Sequence, residues 1–139
     1  MASTSTSQVV PVSPAHVWRL IGGFGSLPDW IPTIPDCVLL EGGRVRRLTT
    51  SQGEVVVERL LAFDAQQRSY SYTLDASPFP VTGYLSTLRV HEVPGAKDAA
   101  EVQWSGRFVP QGVEDDDVIA LFTGIYRDGL DGLLKALSG

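Results

Sequence analysis

The sequence predicts an α+β fold in which a curved antiparallel sheet of seven strands wraps a long C-terminal helix. Three observations lead there. Strand-like runs parted by short turn signals fill the chain from Cys37 to Pro110, and such short spacers join antiparallel neighbours, because parallel crossovers need a dozen or more residues. In three of those runs one parity is apolar and the other polar, the mark of a sheet with a single buried face. The last run, Glu114 to Leu137, carries apolar residues at helical spacing and is available to cover that face.

Residues 1–7 are rich in Ser and Thr and read as a disordered N-terminal segment, with residues 8–139 as one domain. They lack the basic and apolar regions of a signal peptide. Gln8 to Val12 is a short β-branched first strand. Ser13-Pro14 then supplies an N-cap and a proline at the first helical position, His16 to Ile21 continues as a short helix, and Gly22-Gly23 ends it. Three prolines around Trp30 restrict Leu27 to Pro35 to a short helical turn. Two small helices therefore precede the second strand.

Strands follow over Cys37–Glu41, Arg44–Thr50, Glu54–Phe63, Arg68–Asp75, Pro80–Val93 and Ala99–Pro110, separated by turn signals at Gly42-Gly43, Gln52-Gly53, Asp64–Gln67, Ser77–Pro80 and Pro94–Asp98. In the final helix, Glu114 to Asp117 place negative charge at the N-terminus, where the macrodipole favours it. Arg127, Asp131 and Lys135 form one polar stripe with ion-pair spacing, and Val118, Leu121, Phe122, Ile125, Leu133 and Leu137 mark the apolar side. Gly124, Gly129 and Gly132 each cost about 1 kcal/mol against Ala in a helix interior, which points to close approach of a neighbour, a bend or plain drift.

Strand parity sorts the chemistry. Tyr70, Tyr72 and Leu74 share a face, as do Tyr84, Ser86, Leu88 and Val90, and Val102, Trp104, Gly106 and Phe108. By the same rule Arg46 lies with Leu48, and Glu58 with Val56, Leu60 and Ala62. If those faces turn inward, Arg46 and Glu58 meet in the interior as an ion pair; if a bulge flips the strand, they are solvated surface residues. Apolar residues on both faces of Glu54–Phe63 make its parity the least secure.

Composition excludes several functions. A net charge of −5 with only Arg44, Arg46 and Arg47 as a basic group argues against nucleic acid as a partner. No apolar run is long enough to span a membrane, so no stable membrane insertion is expected. Cys37 is the only cysteine, which rules out an internal disulfide and a cysteine zinc site and suits a cytoplasmic location. His16 and His91 have no third ligand nearby, so no metal is expected. No phosphate loop, nucleophile elbow or cofactor motif is present, so no cofactor is expected.

The runs Gly23-Phe24-Gly25-Ser26-Leu27-Pro28-Asp29-Trp30-Ile31-Pro32, Cys37 to Gly42, Val45-Arg46, Val57-Glu58-Arg59-Leu60-Leu61, Tyr70-Ser71-Tyr72 and Val102-Gln103-Trp104, in this order, resemble the START-like, Bet v 1-type superfamily. The similar branch is the polyketide cyclase/dehydrase-like group, with its lachrymatory-factor-synthase-like members. The resemblance spans about Gln8 to Leu137 and implies a helix-grip fold with a cavity between sheet and long helix for hydrophobic or amphipathic ligands. It implies an inward, proton-handling pair at Arg46 and Glu58, cavity-lining aromatics at Tyr72 and Tyr84, and a loop over the pocket mouth at Asp75–Pro80. Ser77-Pro78-Phe79-Pro80 does not match the gate of the hormone-receptor branch, and the Gly42–Val45 hairpin is shorter than in many relatives.

Two functions are expected ahead of a third. The first is a carrier or binding protein for a small hydrophobic ligand, lined by Tyr72, Tyr84, Trp104, Phe108, Trp30, Phe79 and Phe122. The second is a cofactor-free cyclase or dehydratase, with Glu58 as general acid/base and Arg46 holding a substrate oxygen or oxyanion. The third is an interaction domain or homodimer using the outer residues Val55, Val57 and Leu61. The resemblance by itself does not choose among them, since one fold hosts many activities.

Overall fold

The computed structural model describes residues 1–138. Its elements are β1 (Ala2–Val10), α1 (Pro14–Ile21), a 3₁₀ turn (Leu27–Asp29), β2 (Asp36–Leu40), β3 (Val45–Thr49), β4 (Val55–Asp64), β5 (Ser69–Ala76), β6 (Val81–Val93), β7 (Ala96–Pro110) and α2 (Asp115–Ser138). The strands form one sheet in the order β1-β7-β6-β5-β4-β3-β2, every pair antiparallel. This is the curved sheet and long helix expected from the alternation. None of the described helices is long and apolar enough to cross a membrane.

The first strand corrects the reading of residues 1–7 as disordered. Ala2 to Ser7 continue the strand and pair with Phe108 to Gln103 of β7. Ser and Thr look solvating by composition, whereas β7 gives them a ladder partner along one edge and β-branched Thr suits a pleat. The strand alternates in burial, with Ala2, Thr6 and Val10 buried against the core. At the strand's other end pairing stops at Val10, short of the Val12 expected.

Ser13 caps α1 as expected, its hydroxyl accepting from the His16 N–H at 3.2 Å. Two register shifts interrupt the β4–β5 pairing, one between Val57 and Glu58, where Asp75 of β5 is the extra residue, and one between Leu60 and Ala62, where Leu61 of β4 is. The second corrects the face assigned to Ala62. It pairs with outward Ser71, and Phe63 then pairs with inward Tyr70 and rests on Trp18, with ring centres 5.6 Å apart. Such a bulge deepens the twist that lets a sheet curl around a helix.

Helix α2 buries Val118, Phe122, Tyr126, Gly129, Leu130 and Leu133. Tyr126 and Leu130 extend the apolar side read from sequence, while Leu121 is exposed. Close approach accounts for two of the three helix glycines. A Cβ on Gly129 would lie 2.6 Å from the Trp104 ring, and one on Gly132 would lie 2.7 Å from the Trp30 carbonyl oxygen; Gly124 has open space. The Arg127, Asp131 and Lys135 stripe forms no ion pair, and the ion pairs among the described residues join Arg46 to Glu58 and Arg59 to Glu41 and Asp75.

Candidate functional site: a buried ion pair behind an aromatic pocket

Arg46 on β3 and Glu58 on β4 are direct cross-strand partners. Both face inward, Arg46 with no exposed surface and Glu58 7% exposed. The Arg46 Nε donates to Glu58 Oε1 at 2.8 Å; Nη2 lies 2.8 Å from the same oxygen but lacks hydrogen-bond geometry. Arg46 Nη1 donates to the Phe24 carbonyl oxygen at 3.0 Å and to the Tyr70 hydroxyl at 3.1 Å. The guanidinium is flanked by the rings of Phe24 (4.1 Å), Tyr72 (4.7 Å) and Tyr70 (5.5 Å), a desolvated arrangement in which cation–π attraction is at its strongest.

A pocket of about 340 Å³ opens on the other side of Glu58. Its floor is built from the buried Glu58, Tyr72, Tyr84, Trp104 and Tyr126. Leu27, Leu48, Val56, Phe79, Phe122 and Ile125 form apolar walls, and Thr33, Ser51, Gln52, Glu54 and Leu121 ring an exposed mouth. Phe79, in the loop after β5, meets Phe122 edge-on with ring centres 5.2 Å apart. The loop thus reaches the pocket, as does the tip of the β3–β4 hairpin.

Five of the seven residues expected to line the pocket do so: Tyr72, Tyr84, Trp104, Phe79 and Phe122. Phe108 and Trp30 do not. Phe108 is fully buried behind the wall, between Tyr84 and Phe122, and Trp30 packs on Trp104 with ring centres 5.7 Å apart. Arg46 is also absent from the pocket surface. Its donors point to Glu58, Phe24 and Tyr70, so it positions Glu58 instead of reaching into the space.

Sequence reading missed Tyr126. Its signal was present, because Val118, Phe122 and Tyr126 follow one another at i, i+4, i+8. The Tyr126 ring stacks on Trp104, and its hydroxyl bonds with the Tyr84 hydroxyl. Gly106 makes room for it, since a Cβ there would collide with the Tyr126 hydroxyl. The Trp104 Nε1–H is shared between the Tyr72 hydroxyl at 3.0 Å and the Ser86 hydroxyl at 3.1 Å.

Burial pushes the Glu58 carboxyl above its ordinary value of 4.5 and outweighs the opposing pull of Arg46. A raised native pKa means that the folded chain holds this proton more tightly than the unfolded chain does. The corresponding stability is present below pH 4.5 and is lost as pH rises through the native value. Urea midpoints of the wild type and Glu58→Gln, measured from pH 4 to 8, are therefore expected to shift in favour of the variant as pH rises. A difference moving the opposite way would show that Arg46 dominates.

The family described as polyketide cyclase / dehydrase and lipid transport matches residues 1–138. No curated protein matches the chain. Among solved structures, the protein XoxI from Bacillus cereus is 50% identical, with a TM-score of 0.95 over 99% of this chain and 96% of that one. A START superfamily protein from Mycobacterium smegmatis has a TM-score of 0.80 at 16% identity, over 99% and 98% of the two chains. Norcoclaurine synthase from Thalictrum flavum, in complex with dopamine and hydroxybenzaldehyde, has a TM-score of 0.72 at 21% identity, over 96% and 84%. The last two likenesses speak to fold alone. With the match running through β1, the ion-paired strands, the aromatic floor and α2, this chain belongs to the polyketide cyclase / dehydrase and lipid transport family.

Proposed function

We propose that the protein holds a small hydrophobic or amphipathic molecule in this pocket, as a carrier or binding protein. The supporting observation is a space of about 340 Å³ with apolar walls, an open mouth and a polar floor. Small-molecule sites are concave, mostly apolar and carry few polar groups, with volumes from about 300 Å³ upward. Native mass spectrometry of the purified protein is expected to reveal a bound small molecule, recovered by solvent extraction. The neutral fluorophore N-phenyl-1-naphthylamine is expected to bind saturably. Ile125→Trp, which fills the space from α2, is expected to abolish that binding; no bound mass, and equal binding by the variant, would overturn the reading.

A second reading, cofactor-free catalysis of the cyclase or dehydratase type, is supported by one further observation. Glu58 Oε1 is held by Arg46, while Oε2 has no hydrogen-bond partner among the described residues and belongs to a side chain at the pocket floor. A carboxyl with a raised pKa and one unengaged oxygen can exchange a proton with a bound molecule. Glu58→Gln is expected to remove turnover of a polyketone substrate while ligand affinity stays within about threefold. Turnover that survives in this variant would remove Glu58 from the chemistry.

A further inference from the structure

Glu58 brings an unused oxygen to the pocket floor. Its Oε1 accepts from Arg46 Nε at 2.8 Å, while Oε2 has no hydrogen-bond partner among the described residues. The hydroxyls of the floor are engaged elsewhere. Tyr84 bonds with Tyr126, Tyr72 accepts the Trp104 Nε1–H, and the Tyr72 and Tyr126 hydroxyls both lie within reach of Ser86. Nor is Oε2 sealed in. The wholly buried side-chain polar atoms without a partner are Trp30 Nε1 and Arg46 Nη2, and the 9% of the Glu58 side chain that stays accessible lies where it lines the pocket. Thr33, Ser51, Gln52 and Glu54 stand at the exposed mouth and are solvated there. An oxygen turned into an enclosed space favours a ligand that can bond to it.

Arg46 decides how Oε2 behaves. A guanidinium only donates, so the oxygen that faces it must accept. When Glu58 is ionised, Oε2 is an acceptor. When Glu58 is protonated, the hydrogen sits on Oε2, because Oε1 is turned to Arg46. Burial raises this carboxyl above 4.5, which brings the protonated form closer to neutral pH. A ligand hydroxyl meets both forms, donating to the first and accepting from the second. A carbonyl only accepts and an ammonium only donates, so each meets one form. The ammonium would also put a second positive charge on a carboxylate that Arg46 already neutralises, and a ligand carboxylate would put a second negative charge beside it. Burial makes either charge costly.

We propose that the pocket takes uncharged molecules led by a hydroxyl group, alcohols or phenols, and that Glu58 Oε2 is the atom that meets this hydroxyl. The inference rests on the binding reading above and narrows its ligand class. The apolar remainder of the ligand lies against Leu48, Val56, Phe122 and Ile125 toward the mouth.

The test ranks four probes on one carbon skeleton by isothermal titration calorimetry at pH 8.0: 1-(2-naphthyl)ethanol, 2-acetylnaphthalene, 2-ethylnaphthalene and 1-(2-naphthyl)ethylamine. The alcohol is expected to bind about tenfold more tightly than the ketone and the hydrocarbon, the net worth of one hydrogen bond to a charged acceptor. It is expected to exceed the amine by at least about tenfold. In Glu58→Gln the amide must give its oxygen to Arg46, so an NH2 group replaces Oε2 and can only donate. Alcohol and ketone then both serve as acceptors, and their affinity ratio is expected to fall to about one; circular dichroism checks that the fold is retained. Ketone, hydrocarbon or amine binding the wild type as tightly as the alcohol overturns the hydroxyl assignment and leaves the binding reading standing. So does an alcohol-to-ketone ratio that is unchanged in the folded variant, or binding of N-phenyl-1-naphthylamine but of none of the four probes. If neither that fluorophore nor any of the four binds, the binding reading falls as well.

Discussion

Arg46→Met is expected to destabilise the fold by about 3–5 kcal/mol, the usual cost of removing one member of a buried ion pair. Methionine keeps most of the stem volume but leaves Glu58 without its partner. It also leaves the Phe24 carbonyl oxygen without the 3.0 Å donor it has from Arg46 and removes the cation from among Phe24, Tyr70 and Tyr72. Glu58→Gln is expected to cost less, because its amide oxygen can still accept from Arg46 Nε and burial opposes the charge of the carboxyl it replaces. Lysine is not a mild replacement either, since it lacks the planar fork that reaches Glu58, Phe24 and Tyr70 together. Urea denaturation measures the order. A loss below about 1 kcal/mol for Arg46→Met would mean that the pair contributes little beyond what packing supplies.

Gly129→Ala is expected to destabilise the protein by up to about 2 kcal/mol, even though alanine is the better helix former. Helix propensity favours the change by about 1 kcal/mol, but the new methyl would sit 2.6 Å from Trp104 and 3.4 Å from Ile31. Trp104 is stacked on Tyr126 and hydrogen-bonded to Tyr72 and Ser86, so it cannot turn aside cheaply. Overpacking of this kind costs about 1–3 kcal/mol. Gly124→Ala, five residues earlier on the same helix, meets nothing within 4 Å and is expected to stabilise by up to about 1 kcal/mol. Thermal unfolding of the two variants should move in opposite directions. Parallel shifts would mean that the α2–Trp104 approach does not constrain this helix.

Much of the fold was legible in the residues. Alternation in β5, β6 and β7 separated the buried face from the wet one, the Ser13-Pro14 pair marked the start of α1, and the acidic cluster marked the start of α2. Each is a local signal, set by side-chain geometry over a few residues. Residues 1–7 were misread because a polar edge strand owes its order to its neighbour, and Ala62 was misplaced because a bulge resets parity without a dependable sequence mark.

The site divides along the same line. Sequence alone determined the strand-and-helix order, the single buried face and the apolar neighbours that share a strand face with Arg46 and Glu58, but not that those faces turn inward. Only the tertiary structure decided that Arg46 lies behind Glu58 and not in the pocket, that Phe108 and Trp30 back the wall, and that Tyr126 meets Tyr84 across 42 residues of chain. Those outcomes depend on strand register and on how closely α2 approaches the sheet. Both are set by contacts between residues far apart in the chain, which periodicity within one element does not encode.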